Sequence, residues 1–385
     1  MNINRLTTNL ILEDIENLKN SKATKIIILY GPRRVGKTTL VNEIITKLKT
    51  NSKYLDCTDP RVREILQNQG IDDLKSRFED LDLLVLDEAQ LVINIGQTLK
   101  LFADHFNNLQ VIATGSSSFE LSNQIVEPLT GRHHTYYLYP ISYLERYPKK
   151  DILWPNGLEN WLIYGSYPTI ITEDSVQKKQ QELNLLTSDY LFKDILALEN
   201  IKNSNLLRNL LEALALQLGS EVSYTELGNL LGVSKNTVEK YIDLLEKSYI
   251  IFKLHPLSKN PRKEISKTKK IYFYDLGIRN TLIRNLNPLK LRQDSGALWE
   301  NFCIIERLKA NRYQQRLLNS YFWRTYSQVE IDYIEEHSGK LFTFEFKINK
   351  IGQIILPRYF ADFYKNNSPT IHTVNSSNFD KWIRE

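Results

Sequence analysis

Two hydrophobic periods alternate along the first half of the chain. Lys25–Tyr30, Leu83–Leu86 and Leu109–Gly115 are short, nearly unbroken apolar runs, the pattern of strands covered on both faces of a parallel sheet. Lys53–Asp56 supplies a further strand. Elsewhere the apolar residues recur at helical spacing. Leu10, Ile11, Ile15 and Leu18 line one face of a helix over Leu6–Asn20; Thr39–Lys47 forms the helix after the first strand, and Arg61–Asn68 a short one after the second. Strand and helix in alternation predict an α/β layer with helices packed on the sheet.

The second half reads differently. Leu206, Leu207, Leu210, Leu211, Leu214 and Leu218 give Ser204–Leu218 a broad apolar stripe of core type. Tyr224–Leu231 and Lys235–Lys247 are then two helices separated by Gly232-Val233-Ser234, with Ser234 as N-cap of the second. This is helix-turn-helix spacing. Tyr249–Leu254 and Lys270–Tyr274 fit the two strands of a wing. Last come an amphipathic helix over Leu298–Ala310, with Phe302, Ile305 and Leu308 on one side, and three strands, Tyr321–Thr325, Val329–Glu335 and Leu341–Lys347.

Composition narrows the class without deciding it. A length of 385 residues predicts two or three domains, and 42% hydrophobic with 25% charged residues excludes a disordered chain. The net charge of +5 is too mild to demand a nucleic-acid partner, so local clustering must decide. Cys57 and Cys303 are the only cysteines, which leaves no disulfide framework and no zinc-ligand spacing. A reducing, cytoplasmic setting fits. The first twenty-five residues mix charges among apolar positions, unlike a signal peptide, and no apolar run is long enough for a bilayer.

The chemistry starts where the first strand ends. Gly31-Pro32-Arg33-Arg34-Val35-Gly36-Lys37-Thr38 fits the P-loop pattern: backbone N–H groups wrap the phosphates, lysine reaches the β and γ oxygens, and the threonine hydroxyl holds Mg²⁺. Thr39 opens the helix whose positive N-terminus faces the anion. About fifty residues on, LVLDEAQ ends a strand in Asp87 and Glu88. At such a position one carboxylate helps hold Mg²⁺, assigned to Asp87, and a second polarises the attacking water, assigned to Glu88. Thr114 and Ser116–Ser118 end the next strand in hydroxyls that could sense a γ-phosphate. Arg132, in LTGR, could act as an arginine finger in cis or across a subunit contact. No Asn/Thr-Lys-x-Asp element for guanine occurs, which favours ATP over GTP.

GPRRVGKTTL, LVLDEAQ, TGSSSFEL and LTGR, in this order and at these distances, resemble the AAA+-type ATPases of bacteria and archaea that carry a fused C-terminal domain. The likeness continues in WLIYGSYPTII, GALWENF and FEFK. The resemblance implies an ATP-binding core of parallel strands with a helical lid. It carries Lys37, Thr38, Asp87 and Glu88 into the roles given above, and Arg132 into the family's arginine position. Many relatives of this type act as rings, so a homo-oligomer is an open expectation.

Two downstream features suggest an output. Between the wing strands, Lys259, Arg262, Lys263, Lys267, Lys269 and Lys270 face Glu264 alone, a basic run suited to a DNA backbone through counterion release. Lys235, Asn236 and Lys240 on the second helix could reach groove edges. Further on, Asp332 in VEIDYI and Glu345-x-Lys347 in FEFK look like the PD-(D/E)XK nuclease constellation, with Asp332 and Glu345 on a shared metal and Lys347 at the water or leaving phosphate. Period-two alternation sets Glu345 and Lys347 on one face. Glu300 adds a carboxylate from the preceding helix, and Glu330 rivals Asp332.

The expected architecture is therefore an α/β chain: a P-loop parallel sheet with helical lid over 1–198, a winged helix-turn-helix over 199–276, and an α/β restriction-endonuclease-like domain over 277–385. ATP with Mg²⁺ and DNA are the expected ligands, and no membrane is. A different class of reading keeps the ATP site but makes the C-terminal half a catalytically inactive, protein-binding scaffold.

Overall fold

The computed structural model describes residues 3–21, 26–115, 128–149, 154–191, 204–258, 269–325, 327–349 and 354–385. Ser116–Ser118 and the basic residues Lys259, Arg262, Lys263 and Lys267 lie outside them. Packing density divides the chain into two compact units, Met1–Pro140 with Lys247–Tyr249, and Ile141–Glu246 with Ile250–Glu385. The described residues of 141–191, expected with the ATPase core, thus pack within the second unit.

The first unit is built on five parallel strands, β1 (Ile26–Tyr30), β2 (Ser52–Asp56), β3 (Leu83–Asp87), β4 (Gln110–Gly115) and β5 (His133–Tyr137), in the order β2-β3-β4-β1-β5. The apolar runs of β1, β3 and β4 are buried throughout, as residues facing helices on both sides must be. The helices are α1 (Leu6–Ser21), α2 (Lys37–Leu48), α3 (Pro60–Glu64), α4 (Ile71–Phe78) and α5 (Ile95–His105). Ile11 and Ile15 of α1 and Val41 and Ile44 of α2 close one core with Ile27, Leu29, Val85 and Ile112. β5, whose sequence is HHTYY, is half-buried along its length. As an edge strand it carries no apolar run and left no pattern to read.

The second unit holds helices α6 (Tyr143–Arg146), α7 (Trp154–Tyr164), α8 (Pro168–Ile171), α9 (Val176–Leu185), α10 (Ser204–Leu216), α11 (Tyr224–Leu231), α12 (Lys235–Lys247), α13 (Leu276–Leu282), α14 (Ser295–Tyr313), α15 (Arg358–Phe363) and α16 (Phe379–Arg384). Its strands are β6 (Glu221–Val222), β7 (Ile251–Pro256), β8 (Lys269–Phe273), β9 (Asn319–Arg324), β10 (Glu330–His337), β11 (Lys340–Phe346) and β12 (Thr370–Val374). They form one sheet in the order β12-β11-β10-β9-β7-β8-β6. The antiparallel β7–β8 hairpin joins the C-terminal strands because β7 pairs in parallel with β9 through His255 and Pro256. The two modules expected on either side of residue 276 therefore share a sheet.

α14 departs from its expected amphipathic form, since polar residues on its far side are buried as well. Asn301, Glu306, Lys309 and Arg307 are matched there, as burial requires. Asn301 bonds both the N–H and the carbonyl of Phe273, Lys309 Nζ meets Glu306 at 2.7 Å, and Arg307 grips Glu335 through two bonds of 2.9 Å. The GSYP turn is explained by Asp275. Its carboxylate accepts the Ser166 N–H at 2.7 Å, and a Cβ on Gly165, whose φ is 72°, would lie 2.2 Å from it.

Candidate functional site

The insertion of β4 between β1 and β3 brings three strand ends side by side. Leu29 stands opposite Thr114, and Leu86 opposite Ala113, so the loop after Tyr30, the Thr114 hydroxyl and Asp87 emerge along one edge of the sheet. Gly36 takes φ of 100° as the residue before α2, a backbone shape that only glycine adopts without strain. Lys37 opens that helix, and its Nζ turns back to the carbonyls of Gly31 at 2.9 Å and Pro32 at 3.2 Å. Pro32 and Val35 are buried in the loop, whereas Arg33, Arg34 and Thr39 are exposed at its mouth.

Asp87 is the hub of the site. Its Oδ2 accepts from Thr38 Oγ1 at 2.7 Å and from Tyr54 Oη at 2.7 Å, while Thr114 Oγ1 donates to Oδ1. Burial and the bond to Asp87 push the Tyr54 phenol above its usual range. Glu88 sits at φ 52°, an uncommon backbone for a non-glycine residue and one that clusters at functional sites. Its N–H donates to Thr114 Oγ1 at 3.1 Å, and its Oε2 accepts from Gln90 Nε2 at 2.5 Å. Of the hydroxyls that the sequence left open, Thr114 lies among the described residues, and it touches both Asp87 and the Glu88 N–H.

Sequence reasoning missed Tyr54, Gln90 and Arg5. Arg5, just before α1, is buried and donates to the Val35 carbonyl at 2.9 Å and the Tyr139 carbonyl at 2.5 Å, which fixes the P-loop from behind. A lone arginine thirty positions before Val35 gives no signal in a single sequence.

Arg132 is placed elsewhere. Its carbonyl accepts from the N–H of Ile26, at the start of β1, so it lies at the sheet edge opposite the P-loop, with its Nε on Asp104 at 2.6 Å. Within its own chain it does not reach the loop, which corrects the expectation of a finger in cis.

In the second unit, Glu300, Asp332, Glu345 and Lys347 do come together. Lys347 Nζ lies 3.1 Å from Glu345 Oε2 and 3.7 Å from Asp332 Oδ2, and the Phe346 N–H donates to Asp332 Oδ2 at 2.9 Å. A register shift between Ile331 and Ile334 in the β9–β10 pairing accompanies this, as bulges do where a side chain must be re-aimed. Burial, reinforced by Asp332, raises the Glu345 carboxyl to about 7. Among the described residues, the carboxylates whose oxygens gather within 4.8 Å are Glu300, Glu330 and Asp332, whereas Glu345 faces Lys347.

Lys270 is the surprise here. Expected on a basic wing, its side chain is 0% exposed and its ammonium lies 3.0 Å from Glu300 Oε1 and against Glu330 Oε1. Burial pulls its pKa down, but Glu300 and Glu330 outweigh this and hold it above the usual lysine value. Tyr272 Oη also donates to Glu300 Oε1, at 2.5 Å. Alternation along β8 turns Lys270 and Tyr272 to the same face. The KTKK string gave no hint that one of its lysines points inward.

Residues 23–147 match a family described as AAA domain, residues 156–290 a domain of unknown function (DUF8612), and residues 295–383 a domain of unknown function (DUF4143). An uncharacterized protein of Mycobacterium tuberculosis is 26% identical over 325 residues, covering 84% of this chain and 70% of its own length. Another, of Methanocaldococcus jannaschii, is 27% identical over 332 residues, covering 77% of this chain and 72% of its own. Among solved structures, a Walker-type ATPase of Pyrococcus abyssi has 15% identity, covers 71% of this chain and 95% of its own, and gives a TM-score of 0.45. No helix among the described residues is long and apolar enough to cross a membrane. With the AAA match lying over the parallel sheet, the P-loop and Asp87, the N-terminal unit carries an AAA-type P-loop ATPase domain.

Proposed function

We propose that this chain binds and hydrolyses ATP and that its C-terminal half engages DNA under control of the nucleotide. The observation that carries the ATP reading is the 2.7 Å bond from Thr38 Oγ1 to Asp87 Oδ2 at the mouth of the P-loop. A hydroxyl beside a buried carboxylate fits Mg²⁺: Thr38 and Asp87 would hold the ion, which would neutralise charge on the β and γ oxygens. The loop N–H groups from Arg33 to Gly36 wrap the phosphates, and Lys37 binds their oxygens. Glu88, held by Thr114 and Gln90, orients and polarises the attacking water. Arg132 acts across a subunit contact in a homo-oligomer.

We assign residues 199–276 to a winged helix-turn-helix and 277–385 to a PD-(D/E)XK nuclease-like domain. The run α10, β6, α11, α12, β7, β8 and the exposed Lys235, Asn236 and Lys240 support the first assignment. The convergence of Asp332, Glu345 and Lys347 supports the second, with metal-dependent cutting as its output. A second reading, a nucleotide-dependent switch or scaffold with a catalytically inactive C-terminal half, is favoured by Lys270 lying between Glu300 and Glu330.

ATP binding and turnover in wild type, Lys37→Ala and Glu88→Gln test the first claim. Lys37→Ala should lose binding, and Glu88→Gln should keep it while turnover falls by about 10²-fold or more. Intact turnover in Lys37→Ala overturns the ATP reading. Salt-dependent DNA affinity that drops in Lys235→Ala with Lys240→Ala supports the DNA reading; unchanged affinity removes it.

A further inference from the structure

We infer that Lys270 stands in for a divalent cation, so that the acidic cluster of the second unit is a metal-free joint between the β7–β8 hairpin and the nuclease-like core. The inference deepens the second reading above and rests on the cluster geometry alone, not on the ATP site.

Three carboxylates, Glu300 of α14 and Glu330 and Asp332 of β10, bring oxygens within 4.8 Å of one another. Such a group has the reach to surround one hard cation. The space between two of them is taken. Lys270 Nζ contacts Oε1 of both Glu300 and Glu330, and its side chain has no exposed surface. Two further oxygens of the group are also engaged: Arg324 Nε lies 3.3 Å from Glu330 Oε2, and Asp332 Oδ2 takes the Phe346 N–H and lies 3.7 Å from Lys347. Four acids, counting Glu345, thus meet three fixed cations, Lys270, Lys347 and Arg324. Buried carboxylates persist when paired in this way.

A divalent ion needs its oxygen ligands at about 2.0–2.6 Å. An ion so bound to Glu300 and Glu330 would press on an ammonium already within hydrogen-bond distance of the same oxygens. Lysine cannot swing out to water here, since β8 lies between β6 and β7 and its side chain is enclosed. Lys270 also ties strand β8 of the hairpin module to α14 and β10, elements of the C-terminal segment. One buried charge therefore does two things: it neutralises the cluster and fastens the hairpin to it.

The test is Mn²⁺ binding to the full chain without nucleotide, read by the loss of free-ion electron paramagnetic resonance signal. Wild type and Asp332→Asn should bind Mn²⁺ alike. Lys270→Met should gain one site per chain, at least about tenfold tighter than any wild-type site, and Lys270→Met with Asp332→Asn should lose it. A wild-type site abolished by Asp332→Asn overturns the inference, as does a folded Lys270→Met that gains none. Mn²⁺-dependent cutting of duplex DNA by wild type that Lys347→Ala abolishes also overturns it. If Lys270→Met does not fold, the wild-type and Asp332→Asn comparison decides. ATP turnover in the same preparations reports on the ATPase reading separately.

Discussion

Thr38 and Asp87, 49 positions apart, are joined by a 2.7 Å hydrogen bond at the C-terminal edge of the first sheet. Because Tyr54 donates to the same oxygen and Thr114 to the other, the carboxylate has one orientation. Asp87→Asn should keep the fold and cut Mg²⁺-dependent ATP turnover by about 10²-fold, measured as phosphate release. Tyr54→Phe removes one orienting donor and should cost less, about threefold to tenfold. Equal turnover in Asp87→Asn and wild type would remove Asp87 from the reaction.

Arg5 reaches the P-loop without facing the phosphates. Arg5→Met leaves the Val35 and Tyr139 carbonyls without that donor and should lower stability by about 2–3 kcal/mol. A loosened loop should raise the KM for ATP by about tenfold with a smaller change in kcat. A kcat loss at constant KM would point to a different role.

Arg132 stands at the far edge of its own sheet, so a catalytic role requires a second chain. ATP turnover per chain should rise with protein concentration, and Arg132→Ala should lower the plateau by at least about tenfold. Turnover that is independent of concentration and unchanged in Arg132→Ala would reduce this residue to its surface pair with Asp104.

Asp294 gives a pH signature. Burial alone would raise its pKa, but bonds from Arg292 and Arg279 outweigh it and hold the carboxyl at about 2, below its usual value. Since the folded pKa is lowered, the stabilisation is full above about pH 4 and is lost as pH falls toward 2. Discounted for a side chain 27% exposed, it amounts to about 1–2 kcal/mol. Urea midpoints at pH 5 and pH 3 should differ less in Asp294→Asn than in wild type; equal differences would contradict the assignment.

The sequence by itself determined what local chemistry can encode. Apolar runs fixed β1, β3 and β4, the glycines and Lys37-Thr38 fixed the phosphate loop, and two helices fell at Tyr224–Leu231 and Lys235–Lys247 as their apolar spacing predicts. Each depends on neighbours a few positions away. Strand alternation also foretold that Glu345 and Lys347 share a face. Only the tertiary structure decided which distant residues meet. Strand order brought Thr114 and Tyr54 to Asp87, parallel pairing carried Arg132 to the opposite edge, and the β7–β9 junction turned Lys270 from a surface charge into a buried one. Edge strands such as β5 have no apolar run, and a lysine's spelling is the same whether it faces water or three carboxylates; burial, which sets its chemistry, is a property of the fold.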